Sequence, residues 1–197
     1  MFNDKYGLTE AVLSGRKTQT RRIATSADES PKYKVGEIVA IAQNYDIISE
    51  EISKEPSHEK ALFYCKVMKE HYPKETDPRD KEEIPGWYNK MFVRADLMPH
   101  QIRITNVRVE RLHEISDEDC LKEGILINNV YDDYPEEHVL LKQEYYVDYP
   151  TKGGHAERRI DFDAPRDVYA CLIDKISGKG TWESNPYVFV YDFELVK

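Results

Sequence analysis

Residues 15–22 carry the side-chain types that bind anions. They read Gly-Arg-Lys-Thr-Gln-Thr-Arg-Arg, so four of the eight are cationic, although the chain as a whole has a formal net charge of −9. Guanidinium and ammonium groups pair readily with phosphates and carboxylates. The spacing is not that of a phosphate-binding P-loop, because Arg16 separates Gly15 from Lys17. The segment therefore predicts a local anion or nucleic-acid contact of another kind.

The same segment lies at the expected end of a helix. Apolar residues at positions 8, 11 and 12 recur at helical spacing, and Gly15 is of the type that ends helices in the left-handed conformation. Under a second interpretation, Arg16 and Lys17 only complement the negative end of the helix dipole, which stabilises a helix by about 0.3–1 kcal/mol for each charge. Composition alone does not decide between the two interpretations.

Glu123 is the second candidate for chemistry. Ser116, followed by three acidic residues, predicts the start of a helix, and Gly124 predicts its end. A carboxylate in the final turn faces the negative end of the helix dipole, which is unfavourable. Glu123 is therefore either exposed and well solvated, or buried next to Lys17. In the second case the pair would shift each other's pKa, and one partner could serve as an acid or base.

The composition limits the classes of function. With 40% hydrophobic and 11% aromatic residues, the 197-residue chain belongs among globular proteins. A pI near 5.2 argues against broad, non-specific binding of duplex nucleic acid, because such binding depends on many Lys and Arg residues. Any nucleic-acid contact is expected to be local.

Cysteines and histidines give no metal pattern. The three cysteines, Cys65, Cys120 and Cys171, are odd in number and widely spaced, which fits neither a disulfide framework nor a Cys-x-x-Cys zinc site. The six histidines, at 58, 71, 100, 113, 138 and 155, lack metal-ligand spacing, and His113 is expected to be exposed. We expect no metal and no cofactor. We also expect no membrane segment and a cytoplasmic location, since the N-terminus has no apolar signal sequence and the cysteines suit a reducing compartment.

The elements that must position these residues alternate between strands and short helices. Residues 34–42 predict a turn and a buried strand, and residues 101–112 a strand with a bulge at Thr105–Asn106. Residues 44–86 are rich in charge and predict an exposed insertion with one strand over 62–67. The pattern as a whole indicates an α+β fold built on a mostly antiparallel sheet or barrel.

The C-terminal half predicts one hairpin, one helix and a last strand. Residues 151–154 predict the turn of the hairpin, and Tyr145, Tyr146 and Tyr149 are either strand residues or stacking faces for bases. Asp163 is the expected cap of a helix over 164–177. Alternating apolar residues predict a strand over 187–195.

The motif Gly-x-Lys-x-x-Thr-x-Arg in residues 15–22 resembles that of the ASCH (ASC-1 homology) family. The strand after the motif, the strand and short helix of residues 102–124, and the Trp182-to-Val190 segment also resemble pieces of longer phage-type and bacterial members. The resemblance implies a PUA-like β-barrel with short flanking helices. The chain is then a single domain over 1–197, with insertions at about 44–98 and 126–163.

Some members of the ASCH family hydrolyse the acetyl amide of N4-acetylcytidine, and others are associated with RNA. The resemblance implies a catalytic set of Lys17, Thr20 and Glu123. Thr20 would attack the acyl carbonyl, Lys17 would accept its proton, and Glu123 would position Lys17 or protonate the leaving amine. The arginines would bind ligand or stabilise the oxyanion, and their charges would lower the pKa of Lys17; these residues are Arg16, Arg21 and Arg22.

Three functions remain open on the sequence. The first is amide hydrolysis of an N4-acylated cytidine. The second is a non-catalytic module that holds a modified nucleoside or single-stranded RNA. The third is a regulatory or interaction protein that acts through its acidic insertions.

Overall fold

The computed structural model describes residues 2–26, 28–52, 57–71, 84–131, 140–149 and 158–196. These residues form an α+β structure with two antiparallel sheets, as the sequence predicts. They divide into two compact units: unit 1 contains Val39–Gln101, and unit 2 contains Phe2–Ile38 and Ile102–Val196. Unit 1 nearly coincides with the predicted insertion at 44–98.

The helices are α1 (Leu8–Leu13), α2 (Tyr45–Ile52), α3 (Ser57–His71), α4 (Asp117–Lys122), α5 (Pro165–Ser177) and α6 (Thr181–Ser184). The strands are β1 (Gln19–Ile23), β2 (Ile38–Ala40), β3 (Gln101–Arg111), β4 (Leu126–Tyr131), β5 (Leu140–Tyr149), β6 (Arg158–Phe162) and β7 (Tyr187–Leu195). Single 3-10 turns span Asp4–Tyr6, Lys90–Phe92, Ala95–Leu97 and Leu112–Glu114.

The first sheet is a curled, half-barrel sheet with strand order β1-β7-β3-β2. The central strand β7 pairs antiparallel with β1 and with β3. Its alternating apolar residues are buried on both faces from Val188 to Tyr191, and its predicted bounds are confirmed. The predicted bulge in β3 is also confirmed, because the register with β7 shifts between Ile104 and Asn106. The boundary between the two units falls within β2.

Helices α1 and α4 of unit 2 end where the sequence predicts. The turn after α1 contains Gly15 at φ +75°, in the left-handed region. Helix α4 begins after Ser116, whose hydroxyl accepts a hydrogen bond from the Asp119 amide at 3.1 Å. Glu123 is the C-cap residue of α4, and Gly124 follows at φ +100°. These local signals fix where both helices present their termini.

Two smaller expectations for unit 2 are wrong. The residue that precedes α5 is Ala164, and Asp163 does not cap the helix. His113 is half-buried: its ring lies 4.5 Å from the Trp182 ring, centroid to centroid, and its Nε2 is 2.7 Å from the Trp182 carbonyl oxygen. Aromatic contact and a backbone acceptor together hold an imidazole that the sequence placed in solvent.

The second sheet has the order β4-β5-β6, and both of its pairings are antiparallel. It occupies most of the predicted insertion at 126–163. Tyr145, Tyr146 and Tyr149 all belong to β5, so their interpretation as strand residues is confirmed. The predicted hairpin turn at 151–154 lies outside the described residues.

In unit 1, the predicted strand over 62–67 is wrong, because these residues belong to α3. Phe63 and Val67 stand at i and i+4, and both are buried, while Leu62 is exposed. A short apolar run fits a strand or a helix equally well, and here the helical spacing directs two side chains into a core. The segment predicted to be largely exposed also contributes buried side chains, and part of it lies outside the described residues. Its helices and the 84–98 region share a hydrophobic cluster of Tyr45, Ile48, Phe63, Val67, Ile84, Trp87, Leu97 and Met98.

The strand predicted within residues 34–42 is confirmed as β2, but its burial is not, since Ile38 is exposed and Val39 and Ala40 are half-buried. In the described part of the chain, no helix is both long and apolar enough to cross a membrane. The described residues also contain no group of three or more His, Cys, Asp or Glu side chains arranged to hold a metal ion.

Candidate functional site

Lys17 and Glu123 form a buried ion pair in unit 2. The Lys17 ammonium donates one hydrogen bond to the Glu123 carbonyl oxygen at 2.9 Å and another to the Glu123 carboxylate oxygen Oε2. Lys17 is 2% exposed and Glu123 is 4% exposed. The interpretation of Glu123 as an exposed residue is therefore wrong, and the interpretation as a buried partner of Lys17 is confirmed.

Backbone contacts bring the two residues together. The Lys17 amide donates to the Ala11 carbonyl oxygen at 2.8 Å, which turns the chain back after α1. The Thr18 amide then donates to the Lys122 carbonyl oxygen at 2.9 Å, which holds the end of α4 against this turn. A Cβ atom at Gly124 would lie 3.4 Å from the Ala11 Cβ and 3.5 Å from the Lys17 Cβ. These are ordinary van der Waals distances, so the glycine is needed for its positive φ rather than for space.

The surroundings of Lys17 lower the pKa of its ammonium below the ordinary value of 10.5. Burial is the largest cause, because it disfavours the charged form, and the positive charges of Arg22 and Arg21 act in the same direction. Glu123 opposes them through its charge and its hydrogen bond. The predicted effect of neighbouring arginines on Lys17 is confirmed for Arg21 and Arg22. Lys17 releases its proton more readily than an exposed lysine does.

Arg21 lies beside this pair, and all five of its N–H donors have partners. Its Nε and Nη2 donate to Glu110 Oε1 at 3.0 and 2.7 Å, and Nη2 also donates to Asp119 Oδ2 at 2.9 Å. Its Nη1 donates to Gln19 Oε1 and to Glu123 Oε1, the latter at 3.2 Å. The side chain has no exposed surface. A phosphate could bind Arg21 only by displacing one of these acceptors.

A second arginine extends the network toward the surface. Arg108 donates to Glu110 at 3.0 Å, to Asp119 at 2.6 Å and to Asp192 at 3.0 Å. Gln19 links the same acids, because its amide nitrogen donates to Asp119 and Asp192. We call these linked residues the buried polar network. Its members are Lys17, Gln19, Arg21, Arg108, Glu110, Asp119, Glu123 and Asp192. Its shared carboxylates make the burial of the Arg21 guanidinium and the Lys17 ammonium tolerable, while the Arg108 side chain stays 34% exposed.

Strand alternation separates the predicted site residues. Gln19 and Arg21 share one face of β1 and are buried, whereas Thr20 and Arg22 share the other face and are half-buried. Thr20 lies opposite Tyr191 of β7, and within the described part of the chain its hydroxyl makes no hydrogen bond to Lys17 or Glu123. Arg16 is exposed, and its Nε donates to the Ser14 hydroxyl at 3.2 Å. The structure therefore unites Lys17, Arg21 and Glu123, but not Thr20.

Sequence reasoning missed the acids and the second arginine of the buried polar network. A signal for them was present, because polar residues recur at every second position, as Gln19 and Arg21 in β1 and as Arg108 and Glu110 in β3. Asp192 likewise interrupts the apolar pattern of β7. Val190 of β7 pairs with Arg21 on one side and Arg108 on the other, so all three side chains share one face of the sheet. Polar side chains that share one face of a sheet lie close enough to pair once the strand register is known.

Tyr169 of α5 borders the same network. The centre of the Arg21 guanidinium lies 6.0 Å from the centroid of the Tyr169 ring, within the range of a cation–π contact. Burial and the charge of Glu123 raise the pKa of the Tyr169 hydroxyl well above its ordinary value. The phenol is therefore neutral, and it adds no charge to the cluster.

A cavity of about 310 Å³ lies on the second sheet. Its lining residues are Lys142, Glu144, Asp161, Phe162 and Asp163, and none of the predicted site residues is among them. The Lys142 ammonium is already paired with the Glu144 carboxylate at 2.6 Å. We place the candidate site at Lys17, because that is where a buried titratable pair and a lowered lysine pKa coincide.

No protein-family model, no curated protein and no solved structure matches the chain.

Proposed function

We propose that unit 2 is a PUA-like module of the ASCH type that binds a cytosine nucleoside and hydrolyses an acyl amide at its N4 atom. The observation that carries the proposal is the buried ion pair of Lys17 and Glu123, in which burial and two arginines favour loss of the lysine proton. The class of substrate comes from the resemblance of residues 15–22 and of Glu123 to the ASCH pattern. The curled antiparallel sheet is compatible with that resemblance.

The chemistry requires Lys17 in its neutral form. The Thr20 hydroxyl, which makes no hydrogen bond to Lys17 in this structure, must come within hydrogen-bond distance of Lys17 Nζ when substrate binds. Neutral Nζ then accepts its proton as Thr20 Oγ1 forms a bond to the acyl carbonyl carbon. The C–N bond then breaks, and the departing N4 amine takes the proton from Lys17. Water hydrolyses the acyl-threonine ester, which releases the carboxylic acid and restores the hydroxyl. Atoms and protons balance over the cycle, and no oxidant or metal takes part.

Glu123 holds Lys17 in this scheme. Its backbone carbonyl and Oε2 both accept from the lysine nitrogen, so they fix the position of Nζ in either protonation state. The positive charge of Arg22 is close enough to lower the pKa of Lys17, and Arg22 shares a face of β1 with Thr20. Arg22 is therefore the arginine that we assign to the acyl oxyanion.

The test is turnover of N4-acetylcytidine to cytidine and acetate, followed by liquid chromatography and mass spectrometry. We expect Lys17→Met and Thr20→Val to lose about 100- to 10,000-fold in kcat/KM, the usual contribution of a general base or its nucleophile. The matched control is Lys122→Met, which removes a half-exposed lysine from the adjacent turn of α4. Absence of turnover by the wild type, or full turnover by Lys17→Met, overturns the proposal.

A second candidate, a non-catalytic module for a modified nucleoside or single-stranded RNA, is favoured by one observation. Thr20 and Lys17 have no hydrogen bond between them in the described structure. Binding without turnover would support this candidate. Salt-sensitive retention of RNA that weakens in Arg16→Ala and Arg22→Ala is the expected result. Arg21→Ala is unsuitable for this purpose, because Arg21 is buried and its loss also removes structural contacts.

A further inference from the structure

We propose that Arg21 is a positioning residue for Lys17: it holds one carboxylate oxygen of Glu123, leaves the other to Lys17, and balances the Glu123 charge when Lys17 is neutral. The inference deepens the proposed function and rests on it only for its kinetic test. A direct titration of Lys17 tests it independently.

Arg21 and Lys17 bind different oxygens of the Glu123 carboxylate. Arg21 Nη1 donates to Glu123 Oε1 at 3.2 Å, while Lys17 donates to Oε2 and to the backbone oxygen of the same residue. One negative charge therefore faces two cations. Only one of them can lose its proton, since a guanidinium stays charged in proteins. Arg21 is the permanent counter-ion, and Lys17 is the residue whose charge can change.

The Arg21 guanidinium is held in one orientation by its hydrogen bonds. Its guanidinium is held from three elements at once: Gln19 of β1, Glu110 of β3, and Asp119 of α4. Arg108 binds both Glu110 and Asp119 from the other side. Because every donor of Arg21 is used, its orientation toward Glu123 has no alternative that keeps the same hydrogen bonds.

The charges of three side chains act on the Lys17 ammonium: that of Glu123 at the end of α4 and those of Arg21 and Arg22 of β1. From α5, Tyr169 faces Glu123 and both arginines, and its hydroxyl is neutral. When Arg21 is removed, Glu123 keeps Lys17 as its only close counter-ion within the buried polar network. The ammonium form of Lys17 then becomes more favourable.

The experiment compares Arg21→Met with the wild type by two readouts. The first is the titration of the Lys17 side chain, followed by carbon-13 NMR on protein with labelled lysine Cε and assigned by its loss in Lys17→Met. The second is the pH profile of kcat/KM on N4-acetylcytidine. We expect Lys17 to titrate at a higher pH in Arg21→Met. We also expect kcat/KM at pH 7 to fall by about tenfold or more and to recover as the pH is raised.

Two controls separate positioning from general stability. Arg108→Met removes a cation from the same network whose described hydrogen bonds go to Glu110, Asp119 and Asp192; it is expected to lower the melting temperature without moving the Lys17 titration. Arg21→Met with Glu110→Gln removes one positive and one negative charge together. This double variant keeps the test valid if the single variant does not fold.

An unchanged Lys17 titration in the folded single or double variant overturns the inference, whatever happens to the melting temperature. A titration moved to higher pH in a protein with no turnover supports the positioning role and contradicts the hydrolase proposal instead. The two failures are thereby distinguishable.

Discussion

Lys17 and Glu123 are 106 residues apart in the chain, yet the lysine ammonium is bound to both the carboxylate and the backbone carbonyl of the glutamate. The pair joins the turn after α1 to the end of α4, and it connects this contact to the buried polar network through Arg21. A buried charge left without its partner is strongly destabilising. The pair is therefore important for folding as well as for the proposed chemistry.

Glu123→Gln is expected to lower the free energy of unfolding by about 3 kcal/mol or more, because it leaves the Lys17 and Arg21 charges without this carboxylate. Urea denaturation measures the change. The control is Glu118→Gln, which breaks an exposed pair with Lys122 and should cost less than about 1 kcal/mol. Equal effects of the two substitutions would contradict the assignment of Glu123 as a buried partner.

The stability conferred by Lys17 is expected to rise with pH. The folded-state pKa of Lys17 lies below 10.5, so between that pKa and 10.5 the unfolded chain binds more protons at this residue than the folded chain does. The contribution therefore increases with pH through this range and is lost as the pH falls through the folded pKa. The measurement is the difference in free energy of unfolding between the wild type and Lys17→Met over a series of pH values. A difference that shrinks as the pH rises would refute the prediction.

Gly124→Ala and Gly15→Ala are both expected to destabilise unit 2. Both residues have a positive φ, at +100° and +75°, so each substitution carries backbone strain on the order of 1–2 kcal/mol. A Cβ at Gly124 would lie at ordinary van der Waals distance from the Cβ atoms of Ala11 and Lys17, at 3.4 and 3.5 Å, and nothing lies within 4 Å of a Cβ at Gly15. The cost at both positions therefore comes from the backbone and not from a clash. Thermal unfolding of the two variants measures the effect, and a variant as stable as the wild type would contradict the left-handed backbone at that position.

Cys120 is expected to resist alkylation while Cys65 reacts. Cys120 is fully buried, and burial raises the pKa of its thiol to about 12, so little reactive thiolate forms at pH 8. Cys65 is exposed. Peptide mass spectrometry after brief treatment with iodoacetamide should show modification at Cys65 and none at Cys120 until denaturant is added. Early labelling of Cys120 in native protein would disprove its burial.

Features set by neighbouring residues were predictable from the sequence. The Ser116 cap and the glycines at 15 and 124 marked helix ends correctly, because capping and left-handed backbone depend on the residue itself and on a few neighbours. The bulge of β3 was visible as a slip in its alternation. The apolar run of residues 62–67 was misread, since its spacing suits both strand and helix and only packing chose the helix.

The candidate site was only partly predictable. Lys17 was identifiable because it belongs to a basic cluster on an acidic chain. Glu123 was identifiable because it is an acid at the negative end of a helix dipole. The role of Arg21 was not identifiable, because the predicted ligand contact and the observed buried network use the same guanidinium donors. The choice depends on which carboxylates fold against it.

The sequence by itself determined the α+β class, the ends of α1 and α4, the strand over 187–195 and the identity of the two residues that form the buried pair. Tertiary structure alone decided that Glu123 is buried, that Arg21 bonds to acids from β3 and α4, and that Thr20 makes no hydrogen bond to Lys17 or Glu123. The physical reason is separation along the chain: helix ends follow from interactions across a few residues. A charge becomes stable in the interior only when distant segments bring its counter-ions.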